Sequence, residues 1–139
     1  MRGKNGLAKE RVTFMSRGFL LKQKAFLKLY LLEIAARPKD YGSVVLDDLR
    51  AKFKPYGYSP SHTELYKTYK ELYKQGFVKR RSEIKGDPHE NIQEVFIYYL
   101  TEKGKEELEA YRKLMKIEIE RSIGILQTAL EDHYGPIKK

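Results

Sequence analysis

A chain of 139 residues, of which 41% are hydrophobic and 34% are charged, has room for one domain with a single core. It has no cysteine, which excludes disulfides and thiolate chemistry, and no apolar run approaches the roughly 20 residues that span a bilayer. The net charge of +9 favours a polyanionic partner. Because the basic start of the chain lacks the continuous apolar run of a signal peptide, we expect a soluble, cytoplasmic protein.

The basic charge is concentrated in two segments. Residues 1–28 contain eight Lys and Arg against one acid, and residues 61–85 contain seven against three. Residues 102–134 contain six basic and eight acidic residues and do not share the excess. Two basic segments in one small chain indicate a polyanion such as nucleic acid.

Three helices are predicted in the first half of the chain. Apolar residues recur at spacings of three and four over residues 19–36, which indicates a largely buried helix that ends before Pro38. Ser43 is expected to cap a second helix over residues 44–54. Ser61 followed by Glu64 forms a capping box, so a third helix is expected over residues 62–75, with Gly76 as its left-handed C-cap.

A β-hairpin and one long helix complete the pattern. Residues 77–84 and 92–100 are rich in strand-forming side chains and flank a turn with Gly86, Asp87 and Pro88. The last helix, from residue 101 or 102 to about 133, is roughly 45 Å long at 1.5 Å per residue, too long to lie entirely on so small a domain. We predict that its apolar stripe forms the interface with a second copy; the stripe consists of Leu108, Tyr111, Met115, Ile119, Ile123, Leu126 and Leu130.

The order of three helices, a hairpin and a long helix predicts an α+β fold, a winged helix-turn-helix with a carboxy-terminal dimerisation helix. We expect a basic arm over residues 1–17, a winged-helix domain over 18–101, the dimerisation helix over 102–134 and a tail over 135–139.

Catalytic and metal chemistry have little support in the sequence. The three histidines, His62, His89 and His133, fall on different elements without metal-ligand spacing. There is no phosphate-binding glycine loop and no nucleophile elbow. We therefore expect neither an enzyme nor a protein with a metal or another cofactor.

The third helix is the predicted contact with double-stranded DNA. In a helix-turn-helix, the amino-terminal residues of this recognition helix approach the bases in the major groove. Burying Leu65, Tyr69 and Leu72 leaves a polar face for that contact: His62, Thr63, Tyr66, Lys67 and Lys70. Basic residues of the first strand and hairpin tip are expected to contact phosphates: Lys79, Arg80, Arg81 and Lys85.

Three stretches resemble the replication terminator protein family of Gram-positive bacteria: "GFLLKQKAFLKLY" from residue 18, "HTELYKTYKELYKQG" from residue 62, and the "IQEVFIYY" strand. The resemblance implies a homodimer with antiparallel carboxy-terminal helices. It also implies cooperating dimers on terminator DNA, polar arrest of the replication fork by impeding the replicative helicase, and a nucleoid location. The family pattern adds three basic residues to the expected DNA contacts: Arg17, Lys22 and Lys24.

A second resemblance leaves an alternative open. The junction "YYLTEKGKEEL", residues 98–108, is closer to PadR-like transcriptional regulators, which share the winged-helix fold and a carboxy-terminal dimer helix. A PadR-like repressor is therefore the alternative to a replication terminator.

Overall fold

The computed structural model describes residues 18–38, 41–86, 89 and 92–135. Three helices come first: α1 (Gln23–Ala35), α2 (Gly42–Phe53), followed by a 3₁₀ turn at Lys54–Tyr56, and α3 (His62–Lys74). Strands β1 (Val78–Lys85) and β2 (Gln93–Leu100) form an antiparallel hairpin, and α4 (Glu102–Tyr134) ends the described chain. The predicted α+β winged-helix layout with a long last helix is confirmed.

One hydrophobic core joins all three amino-terminal helices to the hairpin and to the first half of α4. Leu31, Leu65 and Met115 are each 0% exposed and come from α1, α3 and α4 respectively. Val78 brings the start of β1 into the same cluster. Since the apolar faces of the short helices converge here, burial of these side chains stabilises the helix arrangement that presents α3.

The start of α1 differs from the prediction. The helix begins at Gln23, because Lys22 has an extended backbone and the segment before it is held by α4. The backbone N–H of Leu21 donates to Ser122 Oγ at 3.0 Å, and Arg121 donates to the carbonyl of Gly18 at 2.8 Å. These contacts span about a hundred residues of chain and are not visible in local periodicity.

The second helix begins one residue before the predicted cap. Tyr41, not Ser43, is its N-cap residue, and Tyr41 makes no side-chain capping bond. At the next helix the local prediction is confirmed: Ser61 Oγ accepts from the backbone N–H of Glu64 at 3.1 Å. Gly76 follows α3 with φ of +80°, as the predicted left-handed C-cap requires.

The first half of α4 packs against the core of its own chain and buries three residues of the predicted dimer interface there. Leu108, Tyr111 and Met115 are 6%, 2% and 0% exposed and belong to the core. The Tyr111 hydroxyl donates to the carbonyl of Ala25 at 3.0 Å, so it faces α1 and not a partner. The part of the stripe that lies outside this core consists of Ile119, which is half-buried, and the exposed Ile123, Leu126 and Leu130.

A buried ion pair fixes this packing. Lys28 of α1 lies 2.5 Å from Glu107 of α4, with side chains only 19% and 8% exposed, and its ammonium lies 4.4 Å from the centre of the Tyr111 ring. Buried charges of this kind need a partner, so the pair is one of the contacts that join α4 to α1. Among the described residues, no helix is long and apolar enough to cross a membrane.

Candidate nucleic-acid interface

The polar face of α3 is exposed in the arrangement that the sequence predicts. Leu65, Tyr69 and Leu72 are buried at 0%, 2% and 1% exposure. On the other side of the helix four of the predicted contact residues are exposed and Tyr66 is half-buried; the exposed ones are His62, Thr63, Lys67 and Lys70. The helix therefore presents hydrogen-bonding and cationic groups to the outside while its leucines anchor it.

The amino terminus of α3 is held by α2. Arg50 Nε donates to the carbonyl of Pro60 at 2.9 Å, immediately before the N-cap residue Ser61. The Ser61 hydroxyl also donates to the Glu64 carboxylate at 2.9 Å. These bonds fix the chain just before α3 and in its first turn. The exposed side chains of His62 and Thr63 therefore point away from the protein in a defined direction.

Tyr66 lies against Gly42 of the neighbouring helix α2. A Cβ atom at Gly42 would lie only 2.2 Å from the Tyr66 hydroxyl oxygen, so no larger residue fits without moving the ring. The His62 and Tyr66 rings lie with their centroids 4.3 Å apart. Burial, followed by the nearby Tyr98 hydroxyl, raises the pKa of Tyr66 above its ordinary value. The hydroxyl is neutral at neutral pH even at its ordinary pKa of 10.0, so it can both donate and accept a hydrogen bond.

Of the three predicted contacts before and within α1, Lys24 lies beside α3. Lys24 forms an ion pair with Glu71 of α3 at 2.9 Å and lines a shallow cavity together with Lys67. The structure thus brings Lys24 and Lys67 to one side of the molecule. Lys22 is exposed just before α1, and Arg17 lies outside the described residues.

The hairpin places its basic side chains on two faces. Lys79 and Arg81 alternate with Arg80 along β1, so they point to the opposite side of the strand. Arg81 lies 3.4 Å from Glu83, and the ammonium of Lys85 lies 4.6 Å from the centre of the Tyr41 ring, beside the start of α2. Lys79, Arg81 and Lys85 are all exposed.

Arg80 is a predicted hairpin contact that the family pattern does not include. Its guanidinium lies 4.5 Å from the centre of the Phe96 ring and 5.4 Å from that of Tyr73, on α3. Cation–π contacts of this type orient the planar group and leave its N–H donors free to bind outward. The alternation of the strand sets Arg80 on the face opposite Lys79 and Arg81, and only the folded chain brings Tyr73 and Phe96 to that face.

The described residues contain no cluster of three or more His, Asp or Glu side chains that could bind a metal ion. His62 lies on α3 and His133 lies on α4, two different elements. The arrangement of the described side chains is thus suited to binding an extended anion, through cations and neutral donors on α3 and the hairpin.

Comparison with solved structures places the fold among winged-helix regulators. The chain is 26% identical to Bacillus subtilis PadR, crystallised in complex with operator DNA, with a TM-score of 0.51; the match covers 61% of this chain and 45% of PadR, so this chain spans less than half of that protein. A PadR-family transcriptional regulator of Eggerthella lenta matches 92% of this chain and 99% of its own at a TM-score of 0.53 and 18% identity, which concerns the fold alone.

Comparison at the level of sequence is more specific. The replication termination protein of Bacillus subtilis is 37% identical over 119 residues, which are 86% of this chain and 94% of that protein. The relative from Bacillus vallismortis gives the same figures. The family model described as replication terminator protein matches residues 18–134, from the segment before α1 to the end of α4. This chain therefore belongs to the replication terminator protein family.

Proposed function

We propose that the protein is a homodimer that binds specific double-stranded DNA sites at replication termini and arrests the replication fork in a polar manner. The observation that carries the proposal is the exposed face of α3, with Tyr66 and Lys67 beside a basic hairpin, in a chain of the replication terminator protein family. Such proteins use phosphate contacts for position and base contacts for sequence choice.

In this proposal, α3 enters the major groove. Its contact residues are His62, Thr63, Tyr66, Lys67 and Lys70. The hairpin follows the backbone with Lys79, Arg81 and Lys85, and the segment before and within α1 adds Arg17, Lys22 and Lys24. The PadR structure with operator DNA supports this use of the fold, because it is a related winged helix captured on duplex DNA.

The proposed division of the chain follows these roles. Residues 18–101 bind DNA, residues 102–134 join two copies, and the basic arm 1–17 and tail 135–139 flank them. A two-fold dimer presents two α3 helices to two half-sites, and neighbouring dimers cooperate on a terminator. The replicative helicase is the proposed second partner, and the chromosome in the cytoplasm is the proposed location. No catalytic step is required of the protein, since arrest depends on slow release from DNA.

A second candidate is a PadR-like transcriptional regulator. It is favoured by the structural neighbours, several of which are transcriptional regulators with this winged-helix layout. The two functions make the same contacts with DNA and differ in where the sites lie and in what must be stopped. A regulator competes for a promoter, whereas a terminator must remain bound against a moving helicase.

The test is selection of bound fragments from the source genome by the purified full-length protein. We expect enriched sites near the replication terminus, arranged as adjacent half-sites. Enrichment upstream of its own or a neighbouring gene favours the regulator. The Lys67→Ala/Lys70→Ala variant is the control, because sites that it enriches equally well do not depend on the proposed recognition face.

A further inference from the structure

The middle of α4 holds the segment that precedes α1. Residues 18–22 form neither helix nor strand, so the repeating backbone bonds of a regular element do not fix their path. Two side chains of α4 contact them instead. The Ser122 hydroxyl accepts from the backbone N–H of Leu21 at 3.0 Å, and the Arg121 guanidinium donates to the carbonyl of Gly18 at 2.8 Å. The segment is therefore bonded to α4 near both of its ends.

A buried carboxylate orients Arg121 for this contact. Arg121 Nε lies 3.4 Å from the Glu118 carboxylate, one turn earlier on α4. The Glu118 side chain is 2% exposed, and that of Arg121 is 28% exposed. A buried carboxylate needs a cationic partner, and the guanidinium is planar, with its N–H donors in fixed directions. Holding Nε at Glu118 therefore restricts where the Nη2 donor can reach, and that donor meets Gly18.

The segment that α4 holds adjoins two of the expected DNA contacts. Lys22 follows Leu21, is exposed, and has an extended backbone with φ of −79° and ψ of 146°. The Lys22 carbonyl accepts from the backbone N–H of Phe26 at 3.1 Å, in the first turn of α1. Arg17 comes directly before Gly18 in the sequence. Each of the two residues bonded to α4 is thus the neighbour of a cation that the proposed function assigns to DNA.

We propose that Arg121 and Ser122 are positioning residues for DNA binding. They act through the segment 18–22, by fixing the backbone next to Arg17 and Lys22 in the place from which these cations reach the phosphates. The inference rests on the proposed function and adds to it, since α4 then contributes to DNA affinity besides joining two copies. Neither Arg121 nor Ser122 has to touch DNA for this role.

Fixing the backbone in advance makes phosphate contacts stronger. A segment that is free to move loses conformational freedom when its cations settle on phosphates, and that loss opposes binding. The bonds to α4 remove part of the loss before DNA binds. Two residues after Lys22, Lys24 pairs with Glu71 of α3 at 2.9 Å. The segment is therefore fixed to α4 and continues directly into a helix that is joined to the proposed recognition helix.

Ser122→Ala in the full-length protein tests the role without changing the charge. Binding is measured on a duplex that carries the site enriched from the genome and on a random-sequence duplex of equal length. On both duplexes we expect the affinity to fall roughly three- to tenfold, as for a lost hydrogen bond. The slope of log affinity against log salt should fall by about one unit for each phosphate contact that is lost. An uncharged substitution changes this slope only if it changes which cations contact phosphates.

Two matched variants on the same helix are the controls. Ser122→Thr keeps the hydroxyl and should restore both the affinity and the salt slope. Thr128→Ala removes a hydroxyl that donates to the Gly124 carbonyl at 2.9 Å within α4, and should leave both unchanged. Arg121→Lys is a second test variant, because it keeps the charge but lacks the planar fork that meets Glu118 and Gly18 together, and its salt slope should fall as well.

A double-mutant cycle identifies the route by which Ser122 acts. In the Arg17→Ala/Lys22→Ala background, Ser122→Ala should have no further effect on the salt slope, because the cations that it positions are absent. Sedimentation and urea unfolding of Ser122→Ala should match the wild type, which separates positioning from loss of the dimer or of the fold.

The outcomes distinguish this inference from the proposed function. A wild type that binds DNA, with unchanged affinity and salt slope in both Ser122→Ala and Arg121→Lys, overturns the inference and leaves the proposed function intact. An effect of Ser122→Ala that persists in full in the Arg17→Ala/Lys22→Ala background also overturns it. A wild type that binds neither duplex overturns the proposed function and the inference with it.

Discussion

The ring of Tyr69 on α3 stacks on the ring of Tyr98 on β2, with centroids 4.0 Å apart and planes 11° from parallel. Tyr69 is 2% exposed, so the stack lies at the junction between helix and hairpin. Stacked aromatic pairs contribute about 0.5 to 1.5 kcal/mol beyond the burial of their area. The contact makes α3 and the hairpin one unit, so that the groups proposed to meet bases and phosphates keep a fixed separation.

The first prediction concerns alkaline stability. Burial raises the pKa of Tyr69, and the neighbouring Tyr98 and Tyr66 hydroxyls raise it further. In the unfolded chain the phenol ionises near its ordinary pKa of 10.0, whereas the folded protein keeps it neutral. The stabilisation from neutral Tyr69 is therefore complete below pH 10.0 and is lost as the pH rises toward the raised folded pKa.

Tyr69→Phe removes this titration. The free energy of unfolding, measured with urea, should fall less steeply between pH 10 and 11 in Tyr69→Phe than in the wild type. Tyr73→Phe is the matched control on the same helix, because Tyr73 is 48% exposed. Equal slopes for the wild type and Tyr69→Phe would contradict the assignment.

The second prediction concerns the contact between Gly42 and Tyr66. Gly42→Ala places a methyl group 2.2 Å from the Tyr66 hydroxyl, so the ring must move. We expect a loss of about 1 to 3 kcal/mol of stability, typical of overpacking, and weaker DNA binding because Tyr66 is displaced. The stability and the DNA affinity of Gly42→Ala should be measured in the Tyr66→Ala background as well. The effect of Gly42→Ala should disappear there, and effects that add independently would show that the two residues are not coupled.

The third prediction separates base reading from phosphate contact. Arg81→Ala should weaken specific and non-specific DNA about equally and reduce the slope of log affinity against log salt by about one unit. Lys67→Ala should weaken the specific site more, with a loss of about 1 to 3 kcal/mol of discrimination. The affinities of both variants for specific and non-specific DNA, measured at several salt concentrations, check these two expectations. The opposite ranking would mean that α3 is not the recognition helix.

The fourth prediction concerns dimerisation. Ile119→Lys/Ile123→Lys places two charges in the apolar stripe of α4. These charges would have to be desolvated for two helices to pair, which costs free energy. We expect a monomer in sedimentation at micromolar concentration, with circular dichroism retained because the core half of α4 is untouched. Ile117→Lys, on the opposite face, should remain dimeric. A dimeric double variant would place the interface elsewhere.

Local chemistry predicted much of this fold. The Ser61–Glu64 box, the positive φ of Gly76 and the hairpin follow from side chains within a few positions of one another. The polar face of α3 was predictable for the same reason, because the spacing of Leu65 and Leu72 dictates which face turns inward.

The differences between the predicted and the observed structure arise from contacts between residues that are far apart in the sequence. The start of α1 is moved by the bond between Leu21 and Ser122, and periodicity contains no sign of it. Tyr111 belongs to the apolar stripe of α4 by spacing, yet its hydroxyl donates to the carbonyl of Ala25, so the exposed part of the stripe begins further along the helix. The role of Arg80 depends on Tyr73 and Phe96 meeting at the same face of the hairpin, which only the folded chain reveals.

The central claim is polar arrest, and a helicase unwinding assay on the best natural site tests it most directly. The site is placed in both orientations in a forked duplex, with the protein at saturating concentration and a replicative helicase approaching. Two adjacent half-sites should bind cooperatively, with a coupling of about 1 to 3 kcal/mol, and unwinding should stall in one orientation and proceed in the other. Because a symmetric dimer on symmetric DNA presents the same face both ways, the asymmetry must come from unequal half-sites or from helicase contact with one exposed surface. Equal passage in both orientations would contradict the terminator function and leave the transcriptional regulator.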